Sequence, residues 1–435
     1  MMYILIAVIF LIGYICIALE HPLKIDKAAS AIITGVLCWS LLVFGSESIF
    51  QNDVEPNFIH ETLFLHLGEI AGILFFLLAA MTIVELIDTH NGFHMITSKI
   101  KTTNRIKLLW VIGVVTFILS AVLDNLTTAI VMATLLKKIL QDKEDIWVFG
   151  GVVVIAANAG GAWSPIGDVT TIMLWIGGQV TAVNIITSLL LPSIVCLLVP
   201  LIIMSFLKKG NVTIPKIVEE DSQHQKLTSS FESSLILWLG IIGLLFVPIF
   251  KNLTHLPPFM GMLFSLGVLW IVTELLHKRK PDQQRQSLMV ATIIRRVDTP
   301  TILFFLGILL AVASLQTAGH LTQFGNSLNS IFNSSYSINM VIGLVSAIVD
   351  NVPMVAGAIG MYPMSLYPQD SQFWELLAYC AGTGGSSLII GSAAGVAIMG
   401  ILKIDFLWYV KKITWLALLG FFSGLLAYYL MNTTF

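Results

Sequence analysis

An all-α polytopic membrane protein is the fold class that the sequence predicts. It is expected to hold two inverted-topology repeats, each with five transmembrane spans, a re-entrant hairpin and a broken helix. Three observations predict this. Of 435 residues, 57% are hydrophobic and only 11% charged, with a mean hydropathy of +0.90. An ordinary soluble domain carries about 25% charged residues. Apolar runs of bilayer length recur along the whole chain, and basic residues gather in alternate loops. The composition excludes a cytosolic enzyme, a nucleic-acid binder and a disordered chain. The net charge of -2 says little, because the placement of the charges carries the signal.

A bilayer core needs about 20 apolar residues per helix. Ten stretches qualify: 2–19, 28–45, 62–87, 146–178, 183–207, 233–250, 258–277, 299–317, 373–400 and 404–432. The first has no basic leader and no small-residue cleavage site, so it is read as a span rather than a signal peptide. Cys16, Cys38, Cys196 and Cys380 all lie in apolar runs without metal-binding spacing and read as small buried hydrophobes.

Alternate loops hold 22 of the 23 basic residues, from Lys24 and Lys27 through Lys99–Lys107, Lys137–Lys143, Lys208–Lys226 and Lys278–Arg296 to Lys403–Lys412; Lys251 is the exception. The positive-inside rule makes these loops cytoplasmic and places both termini on the outer, periplasmic side. Segment 108–138 then begins and ends on the basic side, although its 31 residues are short for two crossings. Segment 338–362 begins and ends on the opposite side. Both read as re-entrant hairpins, with two tightly packed crossings as the alternative.

Three blocks recur in order. EIAGILFFL from Glu69 matches DTPTILFFL from Asp298, and SAVLDNLT from Ser120 matches SAIVDNVP from Ser346. Gly160-Gly161 with Gly167 matches Gly384-Gly385 with Gly391. The offsets are 229, 226 and 224. The expected division is a first repeat over 1–207, a cytoplasmic linker over 208–232 and a second repeat over 233–435. An odd number of spans per repeat turns the second upside down relative to the first. Pro165 and its neighbouring glycines break the span 146–178, and Gly382–Gly391 breaks 373–400. Inverted repeats with broken helices are a secondary-transporter architecture, with free carbonyls at the breaks as ligands for a hard cation.

Carboxylates inside lipid are costly unless partnered or functional. Asp124, Asp168 and Asp350 lie within apolar stretches, and Glu69 and Asp298 at span ends. No Lys or Arg shares the core stretches, so an ion pair is not expected, and a bound cation, a proton or hydrogen bonds remain. Asn125, Asn158 and Asn351 offer amide oxygens. Ser120, Thr127, Thr170, Thr171, Ser346, Ser386 and Ser387 offer hydroxyls. Helix capping competes with ion binding at Asp124, Asp350 and Asp168, hydroxyl bonding to the residue's own helix competes at the serines and threonines, and Glu69 and Asp298 suit helix starts. His60, His66, His90 and His94 lie near span ends, where interfacial placement is expected ahead of pH sensing.

The Asp124-Asn125 and Asp350-Asn351 pairs, together with NAGGAWSPIGDVTT over 158–171, make the chain resemble the NhaD-type Na⁺/H⁺ antiporters of bacteria over nearly its whole length. The resemblance implies electrogenic exchange of Na⁺ or Li⁺ for H⁺ at the inner membrane. It implies no enzymatic activity or cofactor, and a homodimer with a hairpin-bearing transport domain on a scaffold. It carries site roles to Asp124, Asn125, Asn158, Asp168, Thr170, Thr171, Asp298, Thr299, Ser346, Asp350, Asn351 and Ser386. Na⁺ or Li⁺ is expected at Asp124, Asn125, Asn158 and Asp168. The halves differ: Pro353 replaces Thr127, and Ser392 replaces Asp168, so the first half carries an extra carboxylate. The alternatives are Na⁺-coupled symport of a dicarboxylate, which acidic hairpin tips disfavour, and a membrane scaffold, which has no use for core carboxylates.

Overall fold

A computed structural model describes residues 2–50, 57–93, 102–208, 210–213, 228–332, 334–348 and 350–434. Among them the chain is helical throughout, with one isolated bridge between Asn104 and Asn211. Nine of the described helices are long and apolar enough to cross a membrane. The chain is a polytopic membrane protein.

The first half contains α1 (Met2–Ala18), α2 (Lys27–Phe44), α3 (Phe58–Thr89), α4 (Arg105–Leu123), α5 (Asn125–Ile139), α6 (Lys143–Ala162), α7 (Val169–Ile176) and α8 (Ala182–Leu207). The second contains α9 (Ser230–Thr254), α10 (Pro258–His277), α11 (Thr299–Thr317), α12 (His320–Ile331), α13 (Ser335–Ser346), α14 (Asn351–Met361), α15 (Gln372–Gly384), α16 (Ala393–Leu402), α17 (Phe406–Lys412) and α18 (Thr414–Thr434).

Helix starts follow from local chemistry. Asp26, Asn104, Asp142, Thr181, Asp298, Ser334 and Asp405 each turn a side-chain oxygen onto a backbone N–H of the first turn. Ser229 and Glu232 form a reciprocal capping box at α9. The expected breaks appear at the expected places. Residues 163–168 separate α6 from α7, residues 385–392 separate α15 from α16, Asp124 separates α4 from α5, and a turn at 347–348 follows α13.

Small residues set the packing, as expected where lipid supplies no hydrophobic drive between helices. α2 lies against α11 so closely that a Cβ on Gly307 would sit 2.4 Å from the Ile32 nitrogen. α4 meets α6 where a Cβ on Gly160 would sit 2.3 Å from the Phe117 carbonyl oxygen. α13 meets α15 in the same manner, with Gly384 against the Gly343 carbonyl oxygen at 2.2 Å. Each unwound segment then folds back on its own helix, Gly161 on the Gly167 carbonyl and Gly385 on the Gly391 carbonyl.

Three features depart from the expected spans. The last span does not begin at residue 404: the chain bends by 116° between α16 and α17, and the long helix starts at Thr414. Asp405 caps the short α17, and its Lys411 and Lys412 keep it from continuing the apolar span. α12 is a further amphipathic helix within a segment that hydropathy alone leaves as a loop. α4, with 19 residues, is long enough to cross by length and composition.

Candidate ion site

Asp168 sits where the first break re-enters a helix. As the N-cap of α7 it accepts the Thr170 backbone N–H and hydroxyl on Oδ1, both at 2.9 Å. Its backbone carbonyl accepts the Thr171 hydroxyl at 2.9 Å. The other carboxylate oxygen faces the two hairpins. Asn125, first residue of α5, donates Nδ2–H to Oδ2 at 2.5 Å, and Asn351, first residue of α14, donates at 3.4 Å. Asn125 also donates to Asn158 Oδ1 at 3.2 Å. Asn158 extends the cluster into the second break, donating to Ser386 Oγ at 3.0 Å and Ser392 Oγ at 2.9 Å. Asp168, Asn158, Asn125, Asn351, Ser386 and Ser392 are all buried. Residues from the starts of α5 and α14 and from both breaks thus form one network.

Asp124 lies at the turn between α4 and α5 with φ 103° and ψ 160°. Essentially only glycine adopts that region freely, and another residue there costs about 1–3 kcal/mol. Its carboxylate takes the Thr127 backbone N–H at 2.7 Å and hydroxyl at 2.9 Å. Asp124 and Asp350 both lie within Coulombic reach of Asp168. Among the described residues no Lys or Arg pairs with Asp168 or Asp124.

The expectation of unpaired core acids fails at Asp350. Lys27 Nζ stands 3.8 Å from Asp350 Oδ2. Lys27, which charge patterning places in a loop, begins α2, and the packing of α2 on α11 and of α11 on α14 carries it to the start of α14. Linear hydropathy ranks depth along one helix and is blind to a neighbour's side chain.

Other hydroxyls serve the backbone. Ser120 donates to the Ala157 carbonyl at 2.5 Å, and Ser346 to the Gly343 and Ala381 carbonyls at 2.8 and 3.3 Å. Thr127 holds Asp124, and Ser387 Oγ is buried without a partner, as is Thr128 Oγ1. Three expected residues stand outside the network. The Glu69 side chain is 77% exposed, 3.5 Å from His66. Asp298 caps α11 through Thr301, and Thr299 bonds the Val297 carbonyl at 3.2 Å.

One buried acid escaped sequence reasoning. Buried Glu375 on α15 accepts Asn184 Nδ2–H at 2.5 Å, the Ser188 hydroxyl at 3.0 Å and the Tyr428 hydroxyl. Its place inside the span 373–400 was the available signal. His90, at the end of α3, is buried within the protein, with its Nε2 2.9 Å from Nε2 of His277. His60 is exposed, and His94 lies outside the described residues.

An all-helical membrane protein whose two broken helices share a buried carboxylate–amide network belongs to the class of polytopic membrane transporters. The family model described as "Citrate transporter" (CitMHS) matches residues 1–378. Sodium/proton antiporter 2 of Arabidopsis thaliana is 45% identical over 97% of this chain and 98% of its own length. Sodium/proton antiporter 1 of the same plant is 46% identical over 97% of this chain and 71% of its own. The Na⁺/H⁺ antiporter NhaD of Alkalimonas amylolytica is 31% identical over 90% of this chain and 83% of its own. The chain belongs to the family of that model and of these NhaD-type Na⁺/H⁺ antiporters.

Proposed function

We propose that the protein exchanges Na⁺ or Li⁺ for H⁺ across a bacterial inner membrane. The observation that carries this reading is Asp168, buried with no basic partner among the described residues, bonded by Asn125, Asn351 and the Thr170 hydroxyl and linked through Asn125 to Asn158 and the hydroxyls of Ser386 and Ser392. Each amide that now donates N–H to the carboxylate also bears an oxygen on the same carbon. Rotation of the amides turns a set that satisfies an anion into one that surrounds a hard cation. A proton on Asp168 or Asp124 removes the charge that holds the cation, so the two compete for one site. The Na⁺/H⁺ antiporters named among the relatives support this reading.

Transport then runs by alternating access. The proposed repeats, 1–207 and 233–435 about the linker 208–232, supply a moving unit of two hairpins (108–138 and 338–362) and two broken helices (146–178 and 373–400). Both termini face the periplasm, and the working unit is a homodimer. With more than one proton per Na⁺, each turnover moves net charge, and the potential contributes about 2.3 kcal/mol per charge per 100 mV.

The test uses inside-out vesicles from an antiporter-deficient bacterium, acidified inside and followed with a pH dye. Na⁺ or Li⁺ dequenches the dye with the wild type and not with Asp124→Asn or Asp168→Asn. Turnover insensitive to membrane potential removes the electrogenic part. A second reading is Na⁺-coupled uptake of a dicarboxylate or other small anion, and the family model's description, which names the carboxylate citrate, favours an anion of that class. Such an anion would meet Asp168 and Asp124 with no cation beside either. Labelled dicarboxylate uptake without cation-driven proton release would replace the first reading by the second.

A further inference from the structure

The two Asp-Asn pairs are satisfied differently. Asp124 is held from within its own helix by the Thr127 N–H and hydroxyl at 2.7 and 2.9 Å. In the second half Pro353 stands at the matching position, with neither an N–H nor a hydroxyl to give. Asp350 keeps one donor from its own turn, the Val352 N–H at 3.2 Å. A cation from another helix takes the vacated place. The Lys27 ammonium lies 3.8 Å from Asp350 Oδ2, with side chains only 22% and 16% exposed. The same ammonium sits 4.5 Å from the centre of the Phe304 ring on α11, a contact that steadies a cation away from bulk water. The other titratable groups facing Asp350 are Tyr14 from α1 and Asp168 from the first break.

We propose that Lys27 is a tethered counter-cation for Asp350. It occupies the second-half carboxylate, keeps the transported cation off it, and leaves exchange to Asp168 and Asp124. A mobile cation at Asp350 must displace an ammonium already fixed by α2 and Phe304. Without Lys27, Asp350 becomes a bare anion within reach of Asp168 and open to a second cation. Only the transport arm of the test rests on the exchange reading above.

The full-length protein is reconstituted in liposomes as wild type, Lys27→Arg, Lys27→Gln and Lys27→Met. Lys27→Met retains the apolar stem against Phe304 and serves if Lys27→Gln does not fold. A hydrophobic carbodiimide modifies protonated carboxyls in apolar surroundings, and peptide mass mapping locates the adduct. Labelling at Asp350 is expected to rise on the order of tenfold in Lys27→Gln and Lys27→Met, where the carboxyl has lost its charged partner. It stays at the wild-type level in Lys27→Arg. Equal labelling of Asp350 in wild type and Lys27→Met, or a rise in Lys27→Arg as well, overturns the assignment. In the transport arm, the Na⁺ concentration for half-maximal exchange falls severalfold in Lys27→Gln and not in Lys27→Arg, because a second anion is then open to the cation. A lower maximal rate with an unmoved half-saturation makes Lys27 merely structural and overturns the proposal. A wild type that exchanges no cation sinks the exchange reading, while the labelling still decides the role of Lys27.

Discussion

The amide of Asn125 donates a 2.5 Å hydrogen bond to the carboxylate of Asp168, joining the start of one helix to the re-entry of another 43 residues away. The same carboxylate receives Asn351 from the other half of the chain at 3.4 Å. One acid therefore reads the position of both hairpins. Its counterpart in the second half is Ser392, which accepts Asn158 at 2.9 Å and carries no charge.

That asymmetry predicts unequal mutants. Asp168→Asn is expected to lower Na⁺/H⁺ exchange by roughly 100-fold or more, the scale of losing a charged partner worth about 3 kcal/mol. Ser392→Ala removes one neutral acceptor, and its effect is expected to stay within about tenfold. Vesicle dequenching rates normalised to protein level compare the two, and equal losses refute the asymmetry.

Asp124 offers a separation of stability from function. Its φ of 103° is relieved by glycine, at a gain of about 1–3 kcal/mol set against the lost cap. Asp124→Gly is expected to melt above Asp124→Ala in detergent while both fail to exchange. An Asp124→Ala protein that melts at or above Asp124→Gly shows that the turn is not strained in solution.

Close helix contacts predict graded tolerance. A methyl on Gly160 meets the Phe117 backbone at 2.3 Å, and one on Gly384 meets the Gly343 backbone at 2.2 Å. Carbonyl groups within packed helices cannot step aside, so Gly160→Ala and Gly384→Ala are each expected to lose about 1–3 kcal/mol or more. Gly72→Ala, whose methyl would rest 3.5 Å from the Phe259 ring, is expected to be neutral. Melting temperatures of the three proteins test the order.

The buried imidazoles predict acid sensitivity. His90 donates from Nδ1 to the Leu86 carbonyl at 2.7 Å, and its Nε2 shares one proton with His277. Burial, before any other cause, holds the His90 pKa below the usual 6.5. The folded protein thus resists a proton that the unfolded chain accepts. Stability from this group is complete above pH 6.5 and falls as the pH drops towards and through the lowered folded value. The melting temperature should decline between about pH 7 and pH 5, and less steeply in His90→Gln. Identical slopes exclude the pair as the cause.

Much of the architecture was legible in one dimension because the bilayer is a severe solvent. Helix length, loop charge and the tolerance of broken backbone are each dictated by lipid locally, residue by residue. That is why the breaks at Pro165 and Gly385 and the turns at Asp124 and Asp350 could be read from composition and repeats. Asp168, Asn125, Asn158, Asn351 and Ser386 were nameable for the same reason, since polar groups in an apolar run need a cause. Glu69 and Asp298 show the limit: they recur at a repeat offset, yet Glu69 is exposed along α3 and Asp298 caps α11, both away from the network, as is Thr299.

The sequence by itself determined the solvent, the span pattern and the polar residues available inside the membrane. Only the tertiary structure decided which of them meet. Asn125 reaches Asp168, Asn158 reaches Ser392 across 234 residues, and Lys27 reaches Asp350. Those meetings depend on how closely helices approach at Gly160, Gly307 and Gly384 and on how they turn about one another. Hydropathy is a property of each helix alone, whereas a side-chain contact is a property of two.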